Sequence, residues 1–127
     1  MTHPLIDRLT CELGWPRLAL RDELDAFVAR PGVHVVFVPG DPARNLETTD
    51  VAVILPELVQ ALQGRFDCAV ADDAVAAAVG EAAGSFKTPN LVFFRDGTPI
   101  DAIAKVRDWS DYMARIGQIL ARPLAVE

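Results

Sequence analysis

Val33-His34-Val35-Val36-Phe37-Val38 is a continuous run rich in β-branched residues, closed by Pro31-Gly32 on one side and Pro39-Gly40 on the other. A strand with one face in water alternates apolar and polar residues, and this one does not. It therefore belongs in a sheet covered on both faces, the environment of parallel strands in α/β proteins. Phe66 to Ala71 reads as the next strand. Between the two, Val51, Ile54, Leu55, Leu58, Val59 and Leu62 recur at spacings of three and four, the stripe of an amphipathic helix. Strand, helix, strand predicts two parallel strands joined by a right-handed crossover.

The flanking segments extend this unit. Leu5, Ile6, Leu9 and Leu13 predict a first helix over residues 4–13, stopped by Gly14. Trp15 to Leu18 reads as a short edge strand, because Pro16 cannot donate to a central ladder. A second helix over residues 21–29 ends at Arg30-Pro31-Gly32. Thr49 or Asp50 is the expected cap of the central helix, in which Pro56 should produce a kink. Asp72 or Asp73 should cap an alanine-rich helix that Gly84 terminates. Residues 90–95 and 98–104 form a hairpin around Asp96-Gly97. Asp108 is expected to cap a last helix with Trp109, Met113, Ile116 and Leu120 facing inward and Pro123 closing it. The predicted architecture is α/β: a central mixed sheet, βαβ then ββα, with helices on both faces. A chain of 127 residues, 51% of them apolar, has room for a single domain over residues 1–127, its core at about residues 15–122.

Charge and composition exclude several functions. With 18 acidic and 12 basic residues the net charge is −6, unsuited to nucleic acid and better matched to a basic peptide or protein surface. Simple solubility accounts for the same charge. The longest apolar-rich segment, Val51 to Leu62, is interrupted by Pro56, Glu57 and Gln60 and is far short of the roughly 20 residues of a membrane span. The first residues lack a basic region followed by an apolar stretch, so no secretory signal is expected, and the reading is a soluble, cytoplasmic protein without membrane insertion. No His/Cys/Asp cluster has metal-ligand spacing, and no glycine-rich phosphate loop occurs, so neither metal nor cofactor is expected. Ser85 and Ser110 lack the context of a hydrolase nucleophile.

Lys87-Thr88-Pro89-Asn90, leading into an apolar strand and a hairpin, is where chemistry would reside. The order of elements, together with this Thr-Pro step, resembles the thioredoxin fold, in which a cis-proline loop holds an extended peptide by β-strand addition. The resemblance implies a cis Thr88–Pro89 bond and peptide contact at Thr88 and Pro89. After the first buried strand, where such proteins carry Cys-x-x-Cys, this chain reads Pro39-Gly40-Asp41-Pro42-Ala43-Arg44-Asn45. Dithiol exchange needs two sulfurs at that position, and there are none. Asp41 could cap a turn or meet a basic ligand; Arg44 could pair with an acidic neighbour or remain solvated. The two cysteines, Cys11 and Cys68, match no paired motif. Cys68 on a buried strand is the one candidate for a lone nucleophile, with His34 on another strand as the nearest thing to a base.

Gly40-Asp41-Pro42-Ala43-Arg44, Glu47-Thr48-Thr49-Asp50, Phe66-Asp67-Cys68-Ala69-Val70-Ala71-Asp72, Phe86-Lys87-Thr88-Pro89-Asn90-Leu91-Val92-Phe93 and Trp109 together resemble the HupG/HyaE family of NiFe-hydrogenase expression proteins. The resemblance implies a non-catalytic maturation chaperone that binds the hydrogenase small-subunit precursor or its twin-arginine signal peptide, with other maturation proteins as further partners. Asp41, Arg44, Thr88 and Pro89 are the positions this places at the peptide. The competing expectations are a one-cysteine oxidoreductase using Cys68 and an assembly subunit with no peptide ligand.

Overall fold

A computed structural model describes residues 3–41, 43 and 46–121. Ten elements follow one another: α1 (Pro4–Cys11), β1 (Arg17–Leu18), α2 (Arg21–Val28), β2 (Val33–Val38), α3 (Glu47–Ala61), β3 (Phe66–Ala71), α4 (Asp73–Ala83), β4 (Asn90–Arg95), β5 (Thr98–Ala104) and α5 (Trp109–Ala121). The strands lie in the order β1-β3-β2-β4-β5. β1, β3 and β2 are mutually parallel, whereas β4 runs antiparallel to β2 and β5 antiparallel to β4. The mixed sheet expected from sequence is what forms.

Alternation along the strands divides the interior into two cores. Val33, Val35 and Phe37 of β2 join Phe66, Cys68 and Val70 of β3 and Leu91 and Phe93 of β4 under α1, α3 and α5. Val36, Val38, Ala69, Ala71, Val92 and Phe94 point to the other face, under α2 and α4. Every β2 residue is buried, as its uninterrupted apolar run requires. His34 is the polar exception on this strand, 3% exposed. Its ring nitrogens face the Asp67 carboxylate and the Arg30 carbonyl, the latter at 2.8 Å. Arg30 closes the cluster through Asp67 at 3.1 Å and lies over the Phe27 ring. Whichever nitrogen carries the ring proton therefore has an acceptor within reach, which offsets part of the cost of burying the ring.

Two expectations need correction. α3 begins at Glu47 rather than at Thr49 or Asp50, which lie inside its first turn. Glu47 and Thr48 are drawn into the helix because their side chains hold other loops: Val106 N–H donates to Glu47 Oε1 (2.8 Å) and Gly40 N–H to Thr48 Oγ1 (2.9 Å). The helix then continues through Pro56 without ending. In α5, Trp109 is 46% exposed, and the buried residues are Tyr112, Ile116 and Ile119. Met113 and Leu120 only flank this stripe. Tyr112 can turn inward because its hydroxyl finds the Lys105 carbonyl at 3.2 Å. Pro123 lies outside the described residues.

Candidate functional site

Strand direction gathers the candidate loops. The C-terminal ends of β1, β3, β2 and β5 and the N-terminal end of β4 all lie at one end of the sheet. That end therefore carries Pro39-Gly40-Asp41, Asp72-Asp73, Thr88-Pro89 and Lys105-Val106. The Thr88–Pro89 bond is cis, and Pro89 is buried.

Lys105 ties the proline loop to the rest of this end. Its N–H donates to the Pro89 carbonyl (2.7 Å) and its Nζ to the Thr88 carbonyl (2.9 Å). Its backbone sits at φ +69°, a left-handed conformation that costs a non-glycine residue energy unless its surroundings hold it. Two pins do so here: Tyr112 Oη donates to the Lys105 carbonyl, and Glu47 accepts from Val106 N–H. Burial, chiefly, pushes the Tyr112 hydroxyl above its ordinary pKa and keeps it a donor. The arrangement is a rigid ledge built from three segments distant in sequence.

Hydrogen bonds hold the described residues of the loop in the position of the dithiol. Gly40 is anchored to buried Thr48, and exposed Asp41 accepts from Ala43 N–H at 3.0 Å, a local Asx turn. Arg44 lies outside the described residues, so of the four sequence candidates Asp41, Thr88 and Pro89 are placed at this end. Beside Pro39, Asp7, Asp72, Asp73 and Arg17 line a small cavity of about 30 Å3. The Asp73 backbone N–H, and secondarily Arg17 at 3.3 Å, hold the Asp72 carboxyl below the usual carboxylate range.

Cys68 supplies no thiolate to this end. Cys11 is exposed on α1, and Cys68 is 2% exposed on β3. Burial, reinforced by the Asp67 charge, pushes the Cys68 thiol well above its ordinary pKa. His34 cannot serve as its base: Cys68 pairs in register with Val35 and faces the α1/α3/α5 core, while the neighbouring His34 points to the opposite face. Among the described residues no group of three His, Cys, Asp or Glu side chains could hold a metal ion. No helix among them is long and apolar enough to cross a membrane.

Among the described residues, four of the six large hydrophobic side chains that are well exposed sit on segments at this end: Leu20, Leu46, Phe86 and Trp109. Exposed apolar side chains on segments at this end suit macromolecular contact. Sequence reasoning gave Glu47, Thr48, Asn90 and Lys105 no individual role at this end. Only Lys105, a charged residue just past a strand, carried any local signal.

The sheet order, the cis-proline loop and the sulfur-free loop facing it define a thioredoxin-like protein without the redox dithiol. A thioredoxin from Halobacterium salinarum superposes with a TM-score of 0.66 over 87% of this chain and 93% of its own, at 18% identity, which speaks for the fold. The profile of the family described as Hydrogenase-1 expression protein HyaE matches residues 5–112, and the chain belongs to that family. It is 56% identical to the hydrogenase expression/formation protein HupG of Rhodobacter capsulatus over 94% of this chain and 87% of that one. It is 42% identical to HoxO of Azotobacter vinelandii over 95% and 80%, respectively. The crystal structure of a HupG protein from Rhodopseudomonas palustris, 34% identical, covers 84% of this chain and 96% of its own with a TM-score of 0.57.

Proposed function

We propose that this protein is a non-catalytic chaperone of NiFe-hydrogenase maturation, acting in the cytoplasm as a single thioredoxin-like domain. Its client is the small-subunit precursor, engaged through the twin-arginine signal peptide at the proline-loop end of the sheet. The observation that carries the reading is the pairing of a preserved Thr88–Pro89 loop with a facing segment that holds no sulfur. Membership in a family of hydrogenase expression proteins supplies the client class. Asp41, Arg44, Thr88 and Pro89 are the residues assigned to peptide contact, with Asp41 and the −6 charge favouring a basic segment. Other hydrogenase maturation proteins are further partners under the same reading.

Isothermal titration with a synthetic twin-arginine signal peptide tests it. The expected dissociation constant is on the order of 10 µM, about −7 kcal/mol, weakening as salt rises because exposed charges are screened. A flat titration together with failure to compete for the full precursor would sink the proposal. The alternative of a Cys68 oxidoreductase is disfavoured by that thiol's burial and raised pKa. Insulin-reduction activity lost in Cys68→Ser would favour it instead. An assembly subunit without a peptide ligand would be indicated if only folded hydrogenase subunits bound.

A further inference from the structure

The other two well-exposed large hydrophobic side chains among the described residues are Leu13 and Val53, at 40% and 41%. Scattered singly, such residues need no explanation, but these two line one feature. It is an open groove of about 550 Å3 between α1 and α3. Leu5 and Arg8 of α1, with Leu13 and Trp15 just after it, form one side. The outward surface of α3 forms the other.

That second side is itself a ridge. Val53, Pro56, Glu57 and Gln60 recur along α3 at helical spacing and line the groove, while Leu55 and Leu58 of the same helix face the core. The ridge is apolar in its first half and polar in its second, where it carries a carboxylate. The α1 side is apolar at Leu5 and Leu13 and carries one cation, Arg8. Among the described residues neither Arg8 nor Glu57 has an ion-pair partner. An occupant of the groove must therefore bring apolar side chains followed by an acid for Arg8, and it must leave Glu57 a base. The chain's own α3 ridge has the first property, and its α1 wall has the second. A two-fold axis running along the groove, displaced towards α3, lays the ridge of each copy in the groove of the other. Each charge then meets its opposite, and every contact is made twice, as an isologous interface requires.

We propose that the α1/α3 groove is the interface of a homodimer, in which the Val53–Gln60 ridge of each copy fills the groove of the other and Glu57 pairs with Arg8 across the two-fold axis. The contact uses α3 beyond its first turn and leaves Glu47, Thr48 and the proline loop outside it. It therefore stands or falls independently of the signal-peptide titration.

Sedimentation equilibrium of the full-length protein tests the proposal. The wild type should pass from the 13.8 kDa monomer to a species of twice that mass. The expected dissociation constant is on the order of 10 µM, that of a small, transient interface. Arg8→Glu and Glu57→Arg should each weaken dimerisation about tenfold or more, because each sets like charges together twice per dimer. Combining them restores opposite charges and should return the constant to within about threefold of the wild type. Val53→Asp, on the exposed ridge, should give monomers. All four variants should keep the wild-type circular dichroism, since the substituted side chains lie on the surface of the fold. A wild type that remains monomeric at about 200 µM, twentyfold above that constant, overturns the proposal and leaves the groove to a different polypeptide. Single reversals that dimerise as well as the wild type, or a double reversal that stays monomeric, overturn it equally.

Discussion

Lys105 is the residue on which the proline-loop ledge depends, through two hydrogen bonds to Thr88 and Pro89 and a third that its carbonyl receives from Tyr112. Lys105→Met keeps the apolar stem and removes only the ammonium. The expected loss is about 0.5–1.5 kcal/mol in urea-unfolding stability, the usual net value of one such bond. A larger loss would mean that the side chain also holds the left-handed backbone in place. Cys68 makes a prediction of opposite character. The native protein should expose one thiol, Cys11, to a thiol reagent, with Cys68 reacting only on unfolding. Because the folded state raises the Cys68 pKa, the unfolded thiol ionises first as pH climbs. Its stabilising effect is complete below about pH 8.5 and is lost progressively above it. A pH series of urea midpoints should show that decline and should show less of it in Cys68→Ala.

At the scale of elements, α4 illustrates what local sequence can specify. Asp72 at its N-cap accepts from Asp73 N–H at 2.7 Å, and Gly84 closes it in the left-handed conformation at φ +66°. Both roles follow from residue type: a short carboxylate satisfies an orphan donor, and glycine has no Cβ to clash. Asp72→Ala should cost about 1 kcal/mol, read as a fall in thermal midpoint, since it removes both the cap and the Arg17 pair. The Asp96-Gly97 turn, with both residues at positive φ, was legible for the same reason. The start of α3 was not. Thr49 and Asp50 have the chemistry of caps, but Glu47 and Thr48 are engaged by Val106 and Gly40, and those long-range bonds carry the helix further towards its N-terminus. Trp109 misled for a related reason: bulk predicts burial, yet the inward stripe follows Tyr112, whose hydroxyl needs the Lys105 carbonyl.

At the scale of the molecule, stability resides in the two cores, and the proposed docking loops sit at one end of the sheet between them. Phe93 is fully buried in the larger core and packs against Phe66 at a ring separation of 6.2 Å. Phe93→Ala should cost about 3–5 kcal/mol in chemical denaturation, as expected of a truncated core aromatic. The His34–Asp67–Arg30 cluster sits at the other end of the sheet from the proline loop, since His34 and Asp67 lie near the N-terminal ends of β2 and β3. Perturbing it should change stability without changing ligand affinity. The separation follows from topology: parallel strands send their successive loops to one end, where side chains remote in sequence can converge.

From sequence alone came the order of elements, the parallel pairing of β2 and β3, the hairpin and the absence of a dithiol. Each depends on periodicity, on turn chemistry or on the presence of an atom, all of which are local properties. The family resemblance rested on local strings of the same kind. Tertiary structure alone decided that Lys105 would brace the proline loop, that Glu47 would hold Val106, and that Cys68 and His34 would face apart. Those contacts join residues far apart in the chain, and no local pattern encodes a partner that only the closed sheet brings within reach.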